Sequence, residues 1–485
     1  MTISRILAEF VYETGYDDLP KWVDKRTRMY ILDELGVQLL GSTSKPARIL
    51  ADLAFEVGGR EECVMIGHYP KTSCLNSAMV NGTSNGANDW MCDHTTANCH
   101  IGAVVVPAAV AAAEREGVDD KLLVLAAALG YEVTARIGEA FLGRLYAQGL
   151  HPSTVCGVFG AAVAAGKIFE LDKEGLMNAL GIAGTQAFGC GFGEGWNKRM
   201  HYGMAARIGV TAALMAERKY HASTPGRIVE RALKACAYQG EYDVKQIVGG
   251  NGRGRFGEEW RGMLMSYKPY PCCKFLHHYI SLTLKMVKEH DLRPEDVDSI
   301  TTSQCREFYN TLFSGQTYST PERVYSPIDP IDAQFSAPWT IATVIVKRNI
   351  GLYDYFTVEG LRDSNVLNLA KRISGIVDPE YERLYPKEWP IRINVRLKDG
   401  REIVETTKEV PGDPQSVPEY GEKPGLFEKE IEEKFKSLLS ELPPYPNRIN
   451  NILEAMKHAK KVTELTELFR ARPKLKVPLL YHVDI

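Results

Sequence analysis

Apolar positions recur at helical spacing through the first half of the chain. From Lys21 to Leu40, Trp22, Val23, Met29, Ile31, Leu32, Leu35, Val37 and Leu39 mostly follow a 3.6-residue period, and Gly41-Ser42 closes the segment. Alanine-rich segments follow at Ala103–Arg115, Lys121–Leu142, Thr154–Phe169, Lys173–Gln186 and Ala205–Arg218. Small side chains on such helices permit close mutual approach and burial. Asp172 before Lys173 and Pro225 after Ser223-Thr224 are boundary signals. The pattern predicts a mostly helical domain over residues 1–266.

The pattern changes near Tyr267. Alternating or β-branched runs predict strands at Val297–Thr302, Pro390–Leu397 and Arg401–Thr407, with Asp399-Gly400 as the hairpin turn between the last two. Helical spacing lies between them at Phe275–His290, Pro338–Lys347 and Asp363–Ile373. This is an α+β pattern, assigned to residues 267–410. Charged amphipathic helix returns at Leu426–Leu442 and Arg448–Phe469, so residues 411–485 are read as the second part of the helical domain. The expected fold is mainly α: a large all-helical domain formed from both chain ends, with a smaller inserted α+β lid. No internal repeat is visible.

Bulk properties narrow the function. A chain of 485 residues exceeds one ordinary core. A net charge of −3 provides no electrostatic reason to expect nucleic acid or an anionic membrane as partner. The longest apolar runs, Ile101–Ala113 and Leu122–Leu129, are too short to span a bilayer, and the acid-bearing N-terminus does not read as an export signal. Ten cysteines without a CxxC pair point to a reducing cytoplasm.

The densest chemistry lies in Asn81–His100, NGTSNGANDWMCDHTTANCH, immediately before an apolar helical run. Ionisable groups set against a buried helix suggest the floor of an active-site cleft, because a bare core does not tolerate them unpaired. His94 and His100 with Cys92 and Cys99 invite a metal reading. Their spacings of six and seven lack the close pairing of zinc sites, so no metal is expected. Thr95 and Thr96 taken alone read as helix caps; beside Asp93 and His94 they join the candidate substrate contacts. Asp89, Asp93 and His100 together suit acid/base or substrate-binding work.

Three other windows stand out. His151 precedes Pro152 at a predicted helix start, where it is either a cap or a neutral general base. Lys198, Arg199 and His201 form a cationic cluster in a segment read as a loop between apolar helices, a place where stray charge is costly unless it meets an anion. That cluster suits a carboxylate-bearing substrate. Cys273 and His277, in PCCKFLHH, open the second domain, and His277 is placed facing the cleft. Gly252-x-Gly254-x-x-Gly257 matches a dinucleotide fingerprint only formally. It lacks a clear following helix and the acidic ribose partner, and it is read as a loop.

Taken in order, NSAMVNGTSNGANDW, HIGAVVVPAAVAA, GLHPSTVCGVFGAAVAAGK, GTQAFG, KRMHYGMAARIGVTAALMA, YKPYPCCKFLHH, DAQFSAPWTIA and VPGDPQSVPEY resemble the MmgE/PrpD family of 2-methylcitrate dehydratases, cis-aconitate decarboxylases and iminodisuccinate epimerases. The resemblance covers nearly the whole chain. It implies a helical domain with an inserted α+β lid, an active site between the two, a homodimer and no cofactor. It also implies dehydration, decarboxylation or epimerisation of small di- and tricarboxylates, such as 2-methylcitrate or cis-aconitate, through an enolate-like species.

Carried over by resemblance, Asp89, His100, His151 and Lys198 are the catalytic candidates. Lys198 holds a substrate carboxylate, His151 or His100 carries a proton, and Asp89 orients or acts as base. Asp93, His94, Thr95, Thr96, Arg199, His201, Cys273, His277 and Trp339 are the candidate substrate contacts. Trp339 stands where the family commonly has Tyr, and an indole N–H donates a hydrogen bond but does not shuttle a proton as a phenol does. The resulting expectation is a lyase acting on a small polycarboxylate, with an epimerase or isomerase and a non-catalytic carboxylate-binding homologue as alternatives.

Overall fold

A computed structural model describes residues 2–187, 189–190, 195–222, 225–250 and 256–482. The chain divides into two compact units. The first comprises Met1–Phe192, Trp196–Tyr267 and Pro424–Lys476, and the second Gly193–Gly195, Lys268–Lys423 and Val477–Ile485.

The first unit is helical, and the fold as a whole is mainly α, as the periodicity predicts. Helices form at Lys21–Gly41, Gly102–Glu116, Asp120–Ala140, Pro152–Ile168 and Lys173–Gly184, within a residue or two of the predicted bounds. Local signals account for their ends. Asp119 and Asp172 cap their helices by accepting from Leu122 N at 3.0 Å and Gly175 N at 2.7 Å. Gly117 ends the Gly102 helix in a left-handed turn.

Three corrections concern this unit. The helix expected to start at Ala205 starts at Asn197 and runs to Glu217, so Lys198, Arg199 and His201 are helical. Lys198, Tyr202, Ala205 and Gly209 recur three or four residues apart and are all buried; their mixed polarity hides one continuous face. Asn81–Gly86, which reads as turn-rich, is the end of helix Cys74–Gly86. Its low-propensity residues are held by tertiary bonds, Asn81 accepting from Ile66 N (2.9 Å) and donating to Val64 O (3.1 Å). The segment Arg448–Phe469 is not one helix but Ile449–His458 and Val462–Thr466. Between them the backbone bonds to the start of the Asp120 helix: Ala459 O accepts from Asp120 N (3.1 Å) and Val462 N donates to Val118 O (2.8 Å). Helices Ile3–Glu13 and Lys45–Val57 also form.

The Asn197 helix crosses the Cys74 helix with almost no side chain between the backbones. A Cβ on Gly82 would lie 2.7 Å from Gly203 Cα, and one on Gly203 would run into Met79 O and Thr83 Oγ1. Glycine at both positions is what permits the crossing.

The second unit holds a four-stranded sheet in the order Ile373–Val377, Val297–Gln304, Ile391–Leu397, Glu402–Thr407. Gly400 turns the hairpin at φ 91°. The helix expected to reach Ile373 stops at Ala370, and Ile373–Val377 instead pairs in parallel with Val297–Gln304. Ser374 and Gly375 stand inside this five-residue edge strand and weaken its strand signal in the sequence. Helices Leu276–His290 and Ala337–Lys347 complete this unit near their predicted bounds. Part of the glycine-rich decoy, residues 251–255, lies outside the described residues.

All ten cysteines are free thiols. Among the described residues no helix is long and apolar enough to cross a membrane.

Candidate active site

Six of the predicted residues converge within the first unit. The Asn197 helix presents Lys198, His201 and Tyr202 on its buried side. The Cys74 helix ends at Gly86, and three residues later the chain turns sharply at Asp89. That residue has φ 51°, in the left-handed region that a non-glycine residue adopts at a cost. The turn puts Asp89 Oδ1 3.1 Å from Lys198 Nζ. Arg199 Nε donates to Ala87 O at 2.9 Å, clamping the end of the Cys74 helix beside the pair.

The loop that follows is held by its backbone. Asp93 and Ser266 exchange backbone bonds at 2.9 and 2.7 Å, and Ser266 Oγ donates to Asp93 O at 2.8 Å. This leaves the Asp93 carboxylate available to His100, whose Nδ1 lies 3.3 Å from Asp93 Oδ1 and 3.3 Å from Cys92 O. His94 is committed differently. Its Nδ1 accepts from Ala97 N at 3.2 Å, and its Nε2 lies 2.9 Å from Arg261 O, so the ring pins the loop from within. Thr96 Oγ1 donates to Glu139 Oε1 at 2.7 Å, and Thr95 is half-buried.

His151 occupies the N-cap of helix Pro152–Ile168 without a side-chain capping bond, with Pro152 in the first turn. Its N–H donates to Gly189 O at 2.8 Å. Ser153 Oγ accepts from His100 N at 2.9 Å, so the two histidine-bearing segments are tied together at the backbone. The His151 ring lies 5.6 Å from the His201 ring and 5.1 Å from Tyr202, and His100 lies 5.8 Å from Tyr202. Asp89, Asp93, His100, His151, Lys198 and His201 are all buried.

Burial sets the protonation states. Desolvation, then the charges of Lys198, His201 and His100, holds the His151 imidazolium well below its ordinary pKa, so this ring is neutral at physiological pH. Burial also lowers His201. The cluster therefore offers one ammonium, neutral imidazoles and a carboxylate–imidazole pair in a desolvated setting, a combination suited to binding an anion and moving a proton.

Behind the loop lies a second buried network. Lys434 Nζ sits 2.8 Å from Asp33 Oδ1 and donates to Trp90 O at 2.8 Å. Cys92 Sγ donates to Asp33 Oδ2 at 3.2 Å and Cys92 N to Glu34 Oε1 at 3.1 Å. Desolvation, with Asp33 beside it, pushes Glu34 up to about 8. This network fixes Cys92, whose carbonyl meets His100.

The remaining candidates belong to the second unit. Cys273 N donates to Gln334 O at 3.0 Å, and the His277 ring lies 5.5 Å from that of Tyr270. Trp339 is fully buried, its ring 5.2 Å from Tyr355, and its indole N–H has no partner among the described residues. That environment is core.

Sequence reasoning passed over Tyr202, Asp33, Glu34, Lys434 and Lys268. Lys268, in the second unit, is a fully buried ammonium. The available signal for Tyr202 was helical phase, since it follows Lys198 by four residues.

Comparison with known proteins adds independent findings. Residues 5–238 match the MmgE/PrpD N-terminal domain and residues 270–458 the MmgE/PrpD C-terminal domain. A cis-aconitate decarboxylase of Aspergillus terreus is 26% identical over 472 residues, covering 93% of this chain and 92% of the relative. The cis-aconitate decarboxylase-like protein oryM of Aspergillus oryzae is 27% identical over 490 residues, covering 95% and 96%. The human cis-aconitate decarboxylase is 28% identical over 229 residues, covering 44% and 46%.

Proposed function

The chain belongs to the MmgE/PrpD family, and we propose that it is a lyase that decarboxylates a small unsaturated tricarboxylate of the cis-aconitate type. The observation that carries this reading is the buried convergence of the Asp89–Lys198 ion pair with His100, His151 and His201. The names of the relatives favour decarboxylation over dehydration.

The chemistry sets the demands on the site. Breaking the bond to the departing carboxylate leaves an electron pair on carbon conjugated with a remaining carboxylate. That enolate-like species needs a fixed cation and hydrogen-bond donors, and a proton must then reach carbon. Lys198 binds the remaining carboxylate, with Asp89 aiming the ammonium. Neutral His151 donates a hydrogen bond to the developing enolate oxygen. His100 delivers the proton, and Asp93 at its Nδ1 orients the ring and stabilises its charged form.

Proton NMR in D₂O with cis-aconitate, citrate, 2-methylcitrate and iminodisuccinate-type acids tests the proposal. Release of CO₂ with one deuterium placed on carbon supports it. Loss of water without CO₂ would make the protein a dehydratase. Deuterium exchange or inversion without elimination would sink the lyase reading and make it an epimerase. A homodimer is expected alongside, to be measured by light scattering in solution.

A further inference from the structure

Tyr202 is a fully buried phenol that the proposed chemistry does not use. It stands one turn after Lys198 on the same helix, and its ring meets both candidate proton carriers. The ring centroids are 5.1 Å from His151 at 74° and 5.8 Å from His100 at 73°, both edge-to-face. The two histidines come from separate segments, one in the loop after Cys92 and one at the start of helix Pro152–Ile168. Ser153 joins their backbones, and both side chains meet the Tyr202 ring.

The end of the Cys74 helix leaves room for this ring. A Cβ at Gly86 would run into the ring at Cδ2. The adjacent Gly82–Gly203 contact brings the two helices close enough to clamp the ring in place. Between the backbone at Gly86 and two imidazoles, the ring has little room to rotate. Edge-to-face contact is directional, so a ring fixed this way fixes its neighbours as well.

We propose that Tyr202 is a positioning residue, a rigid aromatic wedge that holds the His100 and His151 imidazoles toward one shared site beside Lys198. Its relevance to turnover rests on the lyase reading above; the orientation of the imidazoles does not. The planar ring does this work, and the hydroxyl does not. Placing an acid or base out of line by about 1 Å costs on the order of 10²-fold in rate, so small ring shifts are enough to register.

The test compares Tyr202→Phe with Tyr202→Leu and Tyr202→Met in the full chain. The ring resonances of His100 and His151 are followed by NMR through a pH titration, a readout that requires no substrate. The groups facing His151 (Lys198, His201, His100 and Asp89) remain in place in every variant. Tyr202→Phe is expected to titrate like the wild type. The two aliphatic variants are expected to shift the His151 titration upward, toward an ordinary histidine, as water enters the gap beside it. With a substrate in hand, kcat should fall by about 10²-fold in the aliphatic variants with KM little changed, while Tyr202→Phe retains activity. Unchanged histidine titrations in a folded Leu or Met variant would overturn the proposal. So would loss of turnover in Tyr202→Phe with wild-type titrations, which would make the phenol a catalytic group. If no acid in the panel reacts while the titrations shift as expected, the lyase reading fails and the wedge stands.

Discussion

Lys198 and Asp89, 109 residues apart in sequence, form a buried ion pair at 3.1 Å, and the carboxylate reaches it from a left-handed backbone turn. Such a pair is poor at stabilising a fold. Desolvating both ions roughly cancels their attraction, and well-packed apolar replacements are often neutral or stabilising by about 1–4 kcal/mol. Removing one partner is a different matter, because it strands a buried charge. Lys198→Met is therefore expected to abolish turnover and to cost about 3–5 kcal/mol in urea unfolding. Lys198→Met with Asp89→Asn should recover most of that stability and none of the activity. Recovered activity in the double variant would show that the ion pair is structural.

Asp93 offers a cleaner separation of fold from chemistry, since its backbone pairs with Ser266 and its carboxylate faces His100. Asp93→Asn keeps the loop and removes the charge behind the imidazole. Thermal stability should stay near wild type while kcat falls by about 10²-fold. The alkaline limb of the pH–rate profile should also move to lower pH, because protonated His100 loses its counter-charge. An unmoved limb would reassign the proton carrier.

Glu114 provides a pH test remote from the site. It is buried, it accepts from Val64 N at 3.1 Å and from Thr466 Oγ1 at 2.6 Å, and desolvation pushes it up to about 8. Between its unfolded value of 4.5 and about 8, the folded state holds a proton that the unfolded state has released. Its contribution to stability therefore falls as pH rises through that window and is flat above it. Glu114→Gln should remove this slope. Urea unfolding at pH 5 and pH 8 should show the difference between wild type and variant changing by more than about 1 kcal/mol. A difference independent of pH would count against a raised carboxyl.

The glycine crossing makes a steric prediction. Gly203→Ala places a methyl group against Met79 O and Thr83 Oγ1. Overpacking of this kind costs about 1–3 kcal/mol, and here the backbone must part to relieve it. The melting temperature should drop by several degrees and activity should fall with it, because the same helices carry Lys198 and the approach to Asp89. Unaltered melting would mean that the crossing is looser than described.

Where side chains were uniform in character, the sequence was legible. The alanine-rich helices ended near their predicted bounds, capped by Asp119, Asp172 and Gly117 as their types demand. It was least legible where polar groups are buried. Lys198, Arg199 and His201 read as a loop because charge on a buried helical face breaks the apolar period. Asn81–Gly86 carries small residues that favour turns when nothing else holds them, so its helix leaves no apolar period. His94 stood beside Asp93 as a candidate substrate contact, yet its ring nitrogens are taken up by Ala97 N and Arg261 O. Tyr202 drew no notice, since a tyrosine next to a histidine in sequence says nothing about two histidines from elsewhere.

Periodicity, capping chemistry and motif order were enough to establish a mainly helical chain of this family and to single out Asp89, His100, His151 and Lys198. These are local properties, written within a few turns of helix. The packed structure was needed to establish that Lys198 meets Asp89, that His100 leans on Asp93, that His151 is neutral, and that one aromatic ring touches both histidines. Contacts, and the protonation states that follow from them, depend on burial and on distant neighbours, 109 residues away for Lys198 and Asp89 and 352 for Glu114 and Thr466. No local pattern of side chains encodes such a distance.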